Sequence, residues 1–170
     1  MQPLYMLTAV DVRRAEVAGS SRATTIDKLQ LPPIKFMKGS RTPGGGVMAR
    51  DHVIPRLEPF EPKFSVKGFD EDMFDGMGLV ERWTFAGSAR VKGTNRSVAV
   101  RAIIEGAFCE WEPDESDPAD FVGCTHMFSD VGHYELTWDG REVWYIDDDE
   151  RVIRRKGLDL FEADRLALGG

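Results

Sequence analysis

Four side chains of metal-ligating and redox-active type fall within a short span: Cys109, Cys124, His126 and His133. Their spacing, Cys-x14-Cys-x-His-x6-His, lacks the close Cys or His pairs that zinc sites use. The two cysteines have a second relation. A hairpin closing symmetrically over the acidic stretch 112–120 has its centre between residues 116 and 117, which sets Cys109 opposite Cys124. Opposed residues in a non-hydrogen-bonded pair lie ~4.5 Å apart at Cα, near the short end of the disulfide range. Two readings stay open: a pair of unpaired, mostly buried thiols, or a disulfide within or between chains. No serine stands in a Gly-x-Ser-x-Gly context, and His52, His126 and His133 have no diagnostic flanks, so no nucleophilic triad is expected. Asp147–Glu150 and Asp114–Asp120 lack the Asp-x-Asp-x-Asp-Gly calcium loop and read as solvated turns. Gly44-Gly45-Gly46 is followed by Val47-Met48 rather than Lys-Ser/Thr, against a phosphate-cradling loop. No catalytic residue, cofactor or metal site is assigned.

The elements that carry these residues are strands. Tyr134, Leu136 and Trp138 alternate with polar residues before Asp139-Gly140, and Val143 and Tyr145 alternate after it. An Asp-Gly pair between two alternating runs predicts a hairpin with a type I′ turn, here joining 133–138 to 141–147. A third strand, 151–156, follows the acidic turn. Further strands are expected at 24–31, 34–38, 60–67, 82–91, 97–111 and 121–128. Met73, Phe74 and Met77 sit at helical spacing in a short helix over 70–78 that Asp70 can cap. The tail, 158–170, can end in a short helix, with Asp159 and Glu162 at capping-box spacing. Residues 1–23 read as an arm or a strand. On the strands 82–91 and 97–111, Thr84, Ser88 and Arg90, with Arg101 and Glu105, form polar faces opposite Trp83, Phe85, Ala102 and Ile104.

Residues 39–59 stand apart. They combine Gly44-Gly45-Gly46 with Val47, Met48, Val53 and Ile54. A free linker needs no such apolar members, so this segment is expected to be a long loop or extended hairpin that docks on something.

The chain has 170 residues, 42% of them apolar. That suits one domain, 1–170, with a real core. Its net charge of −7 repels phosphates and argues against tight nucleic-acid binding. Two cysteines are too few for a disulfide scaffold. No apolar run reaches the ~20 residues of a membrane helix, and the first residues lack a secretory pattern, so a reducing cytoplasm is expected. The fold class is mostly β: an antiparallel barrel or sandwich with one short helix.

The order of these segments resembles the major tail tube protein of contractile-tailed bacteriophages. The resemblance runs from Thr24 to the C-terminus. It includes Leu31-Pro32, the Gly44-Gly45-Gly46 loop, Phe64-Ser65-Val66, the short acidic helix, Phe85-Ala86-Gly87-Ser88, the long strand from Val98 to Glu110, and the hairpin from Tyr134 to Val143 followed by Ile146-Asp147. It implies a structural protein without enzymatic activity. Six copies form a ring by joining strands, and rings stack into a hollow tube inside a contractile sheath. The tube conducts DNA without holding it. Implied partners are further copies of the chain, the sheath, the tape measure and the baseplate, in a virion assembled in the host cytoplasm. On this reading Gly44, Gly45, Gly46, Val47, Met48, Val53 and Ile54 contact the next ring, and Thr84, Ser88, Arg90, Arg101 and Glu105 are lumen candidates. A DNA-free contractile bacteriocin or secretion tube is the alternative within this class. A monomeric ligand-binding β-barrel is the alternative outside it.

Overall fold

In the chain, Ser129-Asp130-Val131-Gly132 lies between two runs of alternating residues, and the structure makes all of it one strand. The computed structural model describes residues 3–115, 118–119 and 122–169. In chain order the strands are β1 (Tyr5–Arg14), β2 (Ile26–Gln30), β3 (Phe36–Arg41), β4 (Arg50–Leu57), β5 (Lys63–Lys67), β6 (Val80–Val91), β7 (Ser97–Pro113), β8 (Gly123–Trp138), β9 (Arg141–Asp147), β10 (Val152–Arg155) and β11 (Leu158–Asp159). A 3₁₀ turn, Glu71–Gly76, precedes β6, and helix α1, Glu162–Ala167, follows β11.

The main sheet runs β1-β6-β7-β8-β9-β10-β11, with β5 attached to β8 and β2 to β5. All its pairings are antiparallel. It does not close into a barrel; it folds over on itself as a sandwich. β8 makes this possible by having different partners along its length. Gly123–Met127 pair with β5, whereas His133–Trp138 pair with β9. Between them Asp130, Val131 and Gly132 bulge opposite the single residue Gly106, and Asp130 has φ +52°. A Cβ on Gly106 would lie 2.9 Å from Val131 Cγ2 and 3.2 Å from the Ser129 carbonyl oxygen. Only glycine lets the bulged backbone approach this closely.

The core fills the fold. Trp83, Phe85, Ala102 and Ile104 from the long strands meet Phe64 and Val66 of β5, with Phe108, Phe128, Tyr134 and Met73 between and around them. Phe128 packs edge-on against Trp83 and Phe85, at centroid separations of 5.1 and 5.9 Å, a geometry in which ring edges meet ring faces favourably. Arg14 and Arg22 place their guanidinium groups 5.7 and 5.6 Å from the Trp83 ring centre. Asp70 does not cap the 3₁₀ turn with its side chain; it accepts the hydrogen bond of Arg22 Nε. The expected helix over 70–78 is therefore shorter and tighter, and it is tied to the segment after β1 by an ion pair. Asp159 likewise does not cap α1, whose N-cap is Phe161. Asp159 accepts from the Phe161 N–H and pairs with Arg165.

Other expectations meet the structure more closely. Asp139 and Gly140 have φ of +52° and +74° and link Trp138 to Arg141 as a two-residue turn. The ambiguous first 23 residues contain an edge strand, β1, along β6. The separate strands expected at 121–128 and 133–138 are one bulged strand. Phe121, where the first was to begin, and residues 116–117, the expected centre of its hairpin, lie outside the described residues.

His126 is fully buried and stacked on Phe64, with ring centroids 4.9 Å apart. Burial pushes its pKa down from 6.5 to about 4; Asp70 opposes this and Arg22 adds to it. Between those values the unfolded chain holds a proton that the folded chain lacks, so stability rises with pH. The contribution is full above about pH 6.5 and is lost as pH falls through about 4. At pH 5 the loss is about 2 kcal/mol. The urea midpoint is expected to fall between pH 7.5 and pH 5, and His126→Leu to remove most of that fall. A wild-type midpoint unchanged over this range would contradict the assignment.

Candidate functional site

Residues 39–59 are not an irregular loop. β3 and β4 pair with each other in a two-stranded sheet separate from the main one. Their dense contacts among the described residues are with each other alone. The base is anchored: Phe36 lies against Trp144 of β9, with ring centroids 6.4 Å apart, and the Glu58 N–H donates to the Lys35 carbonyl. The far end stands in solvent. Val47 is fully exposed, Met48 is 65% exposed and Val53 66%, while Ile54 reaches across to Gly39. In the connecting turn the Gly46 N–H donates to the Pro43 carbonyl, and a Cβ on Gly46 would strike the Pro43 ring. Gly44 and Gly45 stand in open space. The predicted apolar members thus come together on one protruding hairpin.

The polar residues of the long strands also come together. Thr84 pairs with Ile103, Ala86 with Arg101, and Arg82 with Glu105, so Thr84, Ser88, Arg90, Arg101 and Glu105 share the face away from the core. None of them is buried. Arg82 and Glu105 form an ion pair at 3.5 Å. Farther along this face His133 Nδ1 bonds the Asp147 carboxylate at 2.8 Å, and the Arg154 guanidinium stacks 4.3 Å over the Tyr145 ring while donating twice to Glu142. The Arg154 bonds pull the Glu142 carboxyl below its usual range. Sequence reasoning missed this cluster because its partners come from three strands; only the register of β8, β9 and β10 assembles them.

The cysteine–histidine set separates. Cys124 and His126 are neighbours on the buried side of β8, with Sγ and Nε2 3.9 Å apart. His133 belongs to the outer face. Cys109 is exposed, at a bulge between Phe108 and Glu110, with its thiol against Ser129 Oγ and the Met127 carbonyl. The expected opposition of the two cysteines is corrected: Pro113 stands opposite Cys124. Cys109 is then four residues back along β7, roughly 13 Å of strand, too far for an internal disulfide. The hairpin pairs about a centre between residues 118 and 119, two residues later than the expected one, and this moves the register. The His52 side chain is on β4, in the exposed hairpin.

What the geometry defines is an antiparallel β sandwich whose unusual features are protruding and edge surfaces. The chain belongs to the family of phage tail tube protein FII, whose model matches residues 12–169. That family is structural, and its members build the tubes of phage tails. No curated protein matches the chain.

Burial raises the Cys124 thiol pKa and so suppresses the reactive thiolate. A thiol-alkylating reagent is expected to add once to the native chain, at Cys109, and a second time only after denaturation. Intact-mass measurement checks this; two adducts on the native chain, or none, would contradict it.

Proposed function

We propose that the chain is the inner tube subunit of a contractile phage tail. Six copies close a ring, rings stack into a conduit within the sheath, and DNA passes through the conduit to the host. The observation that carries this reading, beyond membership of the family, is the β3–β4 hairpin. A paired, two-stranded ribbon with Val47, Met48 and Val53 in water is marginal by itself and gains stability by burial against a partner. Ring closure is supported by the open sheet. β1 lies at one end and β11 at the other, and edges with free backbone groups are a liability unless covered. Cyclic symmetry would join unlike edges of neighbouring copies.

The lumen is assigned to the outer face of β6 and β7, with Thr84, Ser88, Arg90, Arg101 and Glu105. The pairing of Arg82 with Glu105 tempers its positive charge, and the net charge of −7 suits a channel that passes DNA without retaining it. Sheath, tape measure and baseplate proteins would meet the remaining outer, inner and terminal surfaces of the tube.

Negative-stain microscopy of the purified chain tests the reading: rings and tubes are expected, and a compact monomer would contradict it. Deleting residues 42–50 removes the hairpin tip without touching the main sheet. That variant is expected to give rings or monomers and no long tubes. Tubes of normal length from the deletion would remove the hairpin from the stacking contact.

A further inference from the structure

The hairpin has two unlike ends. At its root lies a groove of about 560 Å³ with apolar walls from Met37, Leu57, Phe60, Ile146 and Leu168. Leu168, on the rim, is 69% exposed. Glu58, Asp147 and Asp148 share this groove with Arg56 and Arg151, and Asp149 and Glu150 extend the same turn. The wall is therefore acidic in excess. Asp148 and Asp149 have no cation within salt-bridge distance among the described residues.

At the other end Val47 and Met48 are exposed beside Arg41 and Arg50, which stand directly opposite each other across the strand pair. Like charges in that position repel. Neither arginine has a carboxylate partner among the described residues. The free chain thus keeps an apolar, basic tip and an apolar, acidic groove. The eight residues of β4 separate them by roughly 25 Å of strand, so a copy cannot fill its own groove with its own tip.

We propose that the groove at the hairpin root receives the hairpin tip of a second copy in the adjacent ring. Val47 and Met48 fill the apolar floor, and Arg41 and Arg50 meet the Asp148-Asp149 turn. The inference rests on the reading of the chain as a tube subunit and names the surface that completes its stacking contact. Because tip and groove are different surfaces, the contact is heterologous and repeats without closing, which generates a filament rather than a closed dimer. Helix α1 is part of the receptor: Leu168 follows it, and Arg165 holds it through Asp159 and the Arg151 carbonyl.

Cysteine pairing tests the contact. In a Cys109→Ser background, the double variant Met48→Cys and Leu168→Cys is assembled, mildly oxidised and run on a non-reducing gel. A ladder of covalent oligomers from tubes, with monomer only from unassembled chain, is expected. Monomer alone from oxidised tubes would overturn the proposal. If the cysteine variant does not assemble, charge reversal decides. Arg41→Glu with Arg50→Glu is expected to shorten tubes at least tenfold, as is Asp148→Arg with Asp149→Arg, and combining all four to restore length. Failure of the combination to restore length, with the fold intact by circular dichroism, overturns the proposal. Absence of tubes from the wild-type chain is a separate result: it removes the tube reading itself, and this contact with it.

Discussion

The fold depends on one strand pair, β7 with β8, and on the bulge that divides it. A regular ladder of this length would give a flat, twisted sheet with one buried face. Three residues of β8 opposite Gly106 break the ladder instead and let its first half turn toward β5 and its second toward β9. The sheet then closes over Phe64, Phe108, His126 and Phe128. Gly106 is indispensable because a side chain there would collide with Val131 and crowd the Ser129 carbonyl. The second irregularity, at Cys109, turns that thiol outward while Phe108 stays in the core. The bulges thus set the curvature of the subunit.

This solution buries the aromatic core and leaves edges unfinished. β1 exposes Met6 and Leu7, with Leu4 just before it, along a strand bonded on one side, and the β3–β4 ribbon belongs to no larger sheet. In a protein that works alone such features invite aggregation. The proposed tube would cover them, and the energetic deficit of the free subunit would then drive polymerisation. The same reasoning explains why the ion pairs sit where they do. Arg14 with Glu81 and Arg22 with Asp70 tie the chain around Trp83 without depending on a neighbour.

Much of this was legible in the sequence where the signal is local. Asp139-Gly140 announced its hairpin because positive φ at both positions selects those residues. Alternation placed Trp83, Phe85, Ala102 and Ile104 inside and the polar set outside. The apolar members of 39–59 set this segment apart from a free linker, and one of the two expected forms, an extended hairpin, is the one β3 and β4 make. What failed was non-local. A symmetric hairpin centred between residues 116 and 117 puts the turn two residues too early; the strands pair about a centre between 118 and 119, so the cysteine register came out wrong. β1 was ambiguous because Leu4, Met6 and Leu7 do not alternate cleanly; all are exposed on an edge. Asp70 has the type and position of a cap, but Arg22, far back in the chain, outcompetes the turn for it. The groove at the hairpin root gathers residues from Met37 to Leu168, a set that only the folded chain brings together.

The central claim is that the hairpin and the sheet edge are incomplete in the single chain and completed by assembly. Amide hydrogen exchange measures this directly, residue by residue, on the free subunit and on tubes. The account predicts that β3, β4 and the outer edge of β1 exchange quickly in the free chain and become strongly protected in tubes, while β7 and β8 are slow in both. Equal protection of β3 and β4 in the two states would contradict it.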